Sequence, residues 1–189
     1  MPAKEAVEVD PVLVEMFDKV VSHAKDGDPA ATLAGYRKVL EVQRTKKLKA
    51  IPRFLATVHL QAGYSLIDLK KLKEAEAELK LIDPLMFKGP QRYDYYFTLG
   101  NVLGGERKVK PMFSAFVEAI GASEDAGDME TRPQACWNKI LGFTMVAEDW
   151  PYLKEVSDKA LQVAGVRGFT ELQKTAQVAR EEANKHLKK

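Results

Sequence analysis

The chain has 189 residues, of which 46% are hydrophobic and 30% charged, and its 29 basic and 27 acidic side chains leave a net charge of +2. This is a globular composition, long enough to bury a core without disulfides or metal. The near balance of charge argues against an electrostatic grip on nucleic acid, and the single Cys136 excludes a disulfide framework or a multi-cysteine zinc site.

Asp10-Pro11 opens the first predicted helix with an N-cap aspartate and a proline in the first helical position. Val14, Phe17, Val20, Val21 and Ala24 follow at helical spacing, and Asp26-Gly27-Asp28-Pro29 closes this helix and opens the next. Leu33, Tyr36, Val39 and Leu40 form the second stripe. A basic run, Arg44, Lys46, Lys47, Lys49 and Arg53, comes after it and reads as a solvated helix face near a turn. The third helix carries Ile51, Leu55, Val58, Ala62, Leu66 and Leu69, and the fourth Leu72, Ala75, Leu79 and Ile82. Residues 86–91, with Gly89-Pro90, read as a longer connection. The fifth helix holds Tyr93, Tyr96, Phe97, Gly100 and Leu103 and is expected to break at Gly104-Gly105. Pro111 begins the sixth, with Phe113, Phe116, Val117 and Ile120, and residues 121–131 read as a loop. Trp137, Ile140, Leu141 and Val146 mark the seventh. Asp149 caps the eighth, with Leu153, Val156, Ala160 and Val163 on one face, and Gly165 and Gly168 punctuate its end. Phe169, Leu172, Ala176, Ala179, Ala183 and Leu187 line the last. No run alternates as a strand would, so the pattern is all-α, about nine helices joined by short turns.

A spacing recurs within this pattern. Gly63 is followed after twelve residues by Ala75 and after four more by Leu79; Gly100 is followed after sixteen by Phe116 and after three more by Ala119. Tyr96 to Ala119 and Trp137 to Ala160 are both steps of 23 residues. Small residues at these places let neighbouring helix backbones approach, and the large apolar partners fill what remains. The pattern resembles the tetratricopeptide repeat, Trp-x2-Leu-Gly-x2-Tyr, then Ala-x3-Phe, then Pro. It covers three units, residues 56–86, 93–125 and 134–167. His59 stands where the first unit's tryptophan belongs, Leu141 where the third unit's glycine belongs, and Met112 and Leu153 replace alanines. The units are 37 and 41 residues apart rather than the regular 34, which places insertions in the loops.

The resemblance implies an α-solenoid of antiparallel helical hairpins in a single domain over residues 1–189. Residues 10–45 would form an N-terminal hairpin, 56–167 the three repeats and 168–189 a capping helix that covers an open apolar face. It implies an inner groove lined by Thr57, Leu60, Tyr64 and Ile67, by Asp94, Phe97 and Asn101, and by Ala135, Asn138, Gly142 and Met145. Leu60, Tyr64, Phe97 and Met145 would take apolar side chains, and the asparagines would bond a peptide backbone through both donor and acceptor. A groove filled by the N-terminal helices, with Leu60, Phe97 and Met145 as core, is the alternative. One subfamily clamps a terminal carboxylate with lysine, asparagine and arginine; here Phe97 and Leu60 stand where cations would be needed. The function implied is non-catalytic: a chaperone-like adaptor binding a protein or peptide partner, or else a self-assembling scaffold whose end helices, residues 10–44, dock into neighbouring copies.

Nothing in the spacing calls for a cofactor or metal. His59 reads as a packed histidine with no second ligand beside it, Cys136 as a buried structural thiol without a base, and the glycines near Gly100 fit no phosphate-binding fingerprint. Glu74, Glu76 and Glu78 read as solvated among lysines. Residues 1–5 lack an apolar segment behind their charge, unlike a secretory signal, and no stretch approaches the roughly 20 apolar residues of a membrane span. The expectation is a cytoplasmic protein without membrane insertion.

Overall fold

The computed structural model describes residues 8–24 and 27–188, and the expectations for residues 1–5 and for Asp26 lie outside them. Every regular element among the described residues is helical. α1 is Pro11–Ala24, α2 Pro29–Lys46, α3 Pro52–Asp68 and α4 Leu72–Leu79; a single 3-10 turn, Pro84–Met86, follows. α5 is Pro90–Gly105, α6 Val109–Asp125, α7 Thr131–Val146, α8 Trp150–Arg167 and α9 Thr170–Leu187. Contacts divide the chain into two compact units, Met1–Phe87 and Lys88–Lys189, which meet within the predicted connection 86–91.

Proline and aspartate set the helix starts as their chemistry requires. Pro29 occupies the first turn of α2, and the Asp28 carboxylate accepts from the backbone N–H groups of Ala30 at 2.9 Å and Ala31 at 3.1 Å. Asp149 does the same for α8 by accepting from Tyr152 N–H at 3.2 Å. α6 starts at Val109, two residues before Pro111, because proline is tolerated throughout a first turn whose N–H groups have no intrahelical acceptor.

Glycine does not always mark a helix end here. α5 ends at Gly105 as expected, but Gly104 lies within it, Gly121 within α6 and Gly165 within α8. α6 continues to Asp125 because Ala122 and Ser123 are buried there, and the Ser123 hydroxyl donates to the Asp128 carbonyl at 2.8 Å. Burial of the following turn outweighs the roughly 1 kcal/mol that a helical glycine costs.

The repeat is visible in the turns. Lys70, Arg107 and Glu148 each take the left-handed conformation, φ 59°, 59° and 60°, and are 37 and 41 residues apart. Lys70 N–H donates to Ile67 O and Lys71 N–H to Leu66 O; Arg107 N–H donates to Gly104 O and Lys108 N–H to Leu103 O. This paired capping bonds late carbonyls of α3 and α5 in the same pattern at both turns. Five residues after each turn come Ala75, Met112 and Leu153, nine after come Leu79, Phe116 and Ser157, and all six are 0% exposed. The insertions therefore fall after the second helix of each pair, where α4 is short and followed by the 3-10 turn and where α6 is followed by residues 126–130.

In the first unit α1 packs on α2, α2 on α3 and α3 on α4. Phe17 ties them by meeting Tyr36 of α2 at 5.7 Å and Phe54 of α3 at 5.6 Å between ring centroids. In the second unit consecutive helices pack from α5 to α9, and α7 also touches α5 and α9. Its core joins Met112, Phe116, Ile140, Leu141, Leu153 and Leu172. α9 buries Leu172, Ala176, Ala179 and Ala183 and turns Glu171, Lys174, Gln177, Glu181 and Lys185 to water.

Candidate partner-binding surface

On α3, Thr57, Gln61, Tyr64 and Asp68 recur at i, i+4, i+7 and i+11 and form its most open strip. Thr57 and Tyr64, both expected in a groove, belong to this strip. Leu60 does not: it is 4% exposed, on the buried stripe it shares with Ala56 and Gly63. Two buried faces, one through Ala56 and one through Val58, Ala62 and Leu66, leave α3 little free surface, and Ile67 is half-buried beside the first of them. Tyr64 lines a cavity of about 170 Å³ in the first unit with Tyr36, Gln61, Ser65 and Asp68.

On α5, Asp94, Phe97 and Asn101 are all half-buried. Burial holds the Asp94 carboxyl above its ordinary range, and the Arg132 guanidinium offsets part of that rise. Phe97 stacks on Tyr93 at 5.2 Å and meets the edge of Phe116 at 5.6 Å, so its ring serves the core of its own unit. The Asn101 amide donates one N–H to the Phe97 carbonyl at 2.8 Å, which leaves its second N–H and its own carbonyl oxygen as the groups a peptide could use.

α7 gathers the expected residues best. Ala135, Asn138 and Gly142 line one open cavity of about 540 Å³ together with Lys139, Phe143 and Val146. Met145 stands apart, half-buried against the core. Val146 is 62% exposed, and the Lys139 ammonium lies 5.9 Å from the centre of the Phe143 ring. Lys139 pairs with no carboxylate among the described residues. A Cβ at Gly142 would meet nothing within 4 Å, so no packing contact inside the chain requires a glycine there. The sequence reading missed Lys139, Phe143 and Val146, although their spacing from Ala135, at i+4, i+8 and i+11, is the helical signal that would have found them.

Several titratable groups away from this surface make their contacts inside the fold. Cys136 is 0% exposed, and burial pushes its thiol up to about 12, which keeps it protonated and poorly nucleophilic at neutral pH. Burial likewise raises the Tyr93 phenol beside it, and Arg132 lies over the Tyr93 ring at 4.7 Å. His59 Nδ1 and Glu78 Oε1 are 2.7 Å apart, with side chains only 20% and 15% exposed. Glu78 is thus not the solvated residue its spacing predicted; it joins α4 to α3. Glu76, with a side chain 12% exposed, pairs with Lys80 at 2.9 Å, and Glu74 alone of the three is open. Arg44, Lys46, Lys47 and Lys49 of the basic run are exposed at the end of α2, where cations suit the negative pole of the helix. No helix among the described residues is long and apolar enough to cross a membrane.

The fold is shared with solved structures. The chain superposes on the nearly identical TPR-like repeats of kinesin-light-chain type from Podosopora anserina with a TM-score of 0.66 and 12% identity, covering 92% of this chain and 85% of that one. It superposes on BtubC (BKLC) from P. vanneervenii with a TM-score of 0.57 and 14% identity, covering 92% of this chain and 79% of the other. No protein-family profile matches the chain, and no curated protein matches it. The chain has an all-α, TPR-like helical-repeat fold with degenerate repeats.

Proposed function

We propose that this chain is a non-catalytic protein-interaction scaffold that takes a peptide or partner segment on the open face of α7. The observation that carries this reading is the convergence of Ala135, Asn138 and Gly142, placed together by repeat register, on one cavity with Lys139, Phe143 and Val146. From Ala135 to Val146 the helix rises about 16 Å, enough to lie along roughly five residues of extended peptide. Phe143 and Val146 offer apolar contact, and Asn138, exposed, offers both donor and acceptor. Gly142 supports the same reading. It costs the helix about 1 kcal/mol relative to alanine, occupies no tight intramolecular contact, and leaves α7 bare where a partner backbone would approach.

The test is affinity capture from the native organism with three forms of the chain: wild type, Gly142→Leu and Gly121→Leu. Gly121, on α6, is equally unobstructed and serves as the control. A partner held by wild type and Gly121→Leu but lost by Gly142→Leu is the expected result. Identical capture by all three forms would overturn the assignment of the α7 face.

A further inference from the structure

The cavity in the first unit is of a different kind, and it does not rest on the reading of α7. From its lining we infer that it is a binding site for an alkylammonium group, lined by Tyr36, Tyr64, Gln61, Ser65 and Asp68.

The acceptors are held in place by the fold. Tyr36 is 2% exposed, and its ring is fixed against Phe17, which in turn meets Phe54. Tyr36 lines the cavity, and its hydroxyl has no hydrogen-bond partner among the described residues, so it is free to bond whatever enters. Burial raises the phenol above its ordinary value, so the hydroxyl stays neutral and its oxygen is available as an acceptor. Gln61, whose side-chain amide can present its oxygen, and the exposed Asp68 carboxylate add acceptors to the lining, and Asp68 pairs with no cation among the described residues. Ser65 already donates its hydroxyl proton to the Gln61 backbone carbonyl at 3.2 Å, leaving its oxygen turned to accept. An ammonium carries three N–H donors and no acceptor, which matches this lining, and the faces of two tyrosines attract a cation.

The surrounding field has the same sign. α1 and α3 both end at the cavity, at Ala24 and Asp68, and present the negative poles of their helices. α2 begins there, but its positive pole is already engaged by the Asp28 carboxylate. Among the described residues, no lysine, arginine or histidine lines the cavity. Lys25 and Asp26, its neighbours in sequence, carry opposite charges and lie outside the described residues. A volume of about 170 Å³ is close to that of a protein cavity, about 150 Å³, that admits benzene. It therefore suits a butylammonium chain or the end of a lysine side chain, and excludes a folded segment.

The experiment titrates the full chain, with tyrosine rings isotopically labelled, against n-butylammonium chloride, Nα-acetyl-lysine amide and n-butanol at constant ionic strength. Resonances are assigned through Tyr36→Phe and Tyr64→Phe. Saturable shifts of the Tyr36 and Tyr64 rings with n-butylammonium, a response at least about threefold weaker in Asp68→Asn, and none with n-butanol are expected. A parallel response to Nα-acetyl-lysine amide assigns the site to a partner's lysine side chain, and its absence assigns the site to a free amine. The inference is overturned if n-butanol shifts the same rings as strongly, if Asp68→Asn binds n-butylammonium as tightly as wild type, or if neither ammonium compound gives a saturable shift.

Discussion

Substituting alanine for Gly100 and for Gly142 places the same methyl group in two helices of one unit, and the structure assigns the two changes opposite signs. At Gly100 the new Cβ would lie 2.8 Å from Phe116 Cε1 and 2.9 Å from its Cδ1 and Cζ, where ordinary carbon contacts are about 3.5–4.0 Å. The ring cannot retreat freely. Phe116 is 0% exposed, with the edge of Phe97 at 5.6 Å on one side and Phe143 stacked at 6.4 Å on another. Overpacking of this kind costs about 1–3 kcal/mol, and the gain of about 1 kcal/mol in helix propensity offsets part of it. Gly100→Ala is therefore expected to destabilise by up to about 2 kcal/mol. At Gly142 no atom stands within 4 Å of the new methyl, so only the propensity gain remains and the change stabilises by about 0.5–1 kcal/mol. For a chain of this length each kcal/mol moves the melting temperature by roughly 2–4 °C. Thermal unfolding followed by far-ultraviolet circular dichroism should show Gly100→Ala below wild type and Gly142→Ala above it. A Gly100→Ala protein as stable as Gly142→Ala would refute the close packing of α5 on α6, and with it the account of why small residues recur at this register.

Asp94→Asn should raise stability at neutral pH and leave it unchanged near pH 3. Burial raises the folded carboxyl above its unfolded value, so the folded chain holds that proton more tightly and wild-type stability falls as pH rises through the carboxyl range; urea unfolding of both forms across pH 3–7 measures the divergence, and parallel curves would contradict it. Cys136 should resist a disulfide reagent at pH 8 in the native chain and react within the same period once unfolded, because its thiol is buried and held at about 12; rapid native labelling would place it at the surface. Asp28→Ala should cost about 1 kcal/mol by leaving the N–H groups of Ala30 and Ala31 without their carboxylate, while Asp28→Ser should cost a few tenths, as read from chemical denaturation.

Much of the architecture was legible in the order of residues. The 37- and 41-residue steps read from Gly63, Gly100 and Leu141 are the same steps that separate the left-handed turns at Lys70, Arg107 and Glu148. A turn closes at a set distance from the residues packed beside it, so spacing alone carries that information. Helix ends were read less well, because glycine has two meanings. Gly104 interrupts the apolar pattern as a breaker would, yet it lies within α5 where Phe143 packs so closely that a Cβ would fall 2.5 Å from its ring. Which meaning applies depends on a residue 39 positions away.

The candidate surfaces divide along the same line. The sequence by itself determined that this protein is a set of helices with caps, turns and a repeating small-residue register, because those depend on neighbours a few residues apart. Only the tertiary structure decided that Leu60 and Phe97 serve the core while Asn138 and Gly142 stay open, and that Tyr64 of α3 and Tyr36 of α2 line one cavity. Exposure is a property of what packs against a face, and for α3, buried on two sides, and α7, left bare on one, local periodicity reads alike.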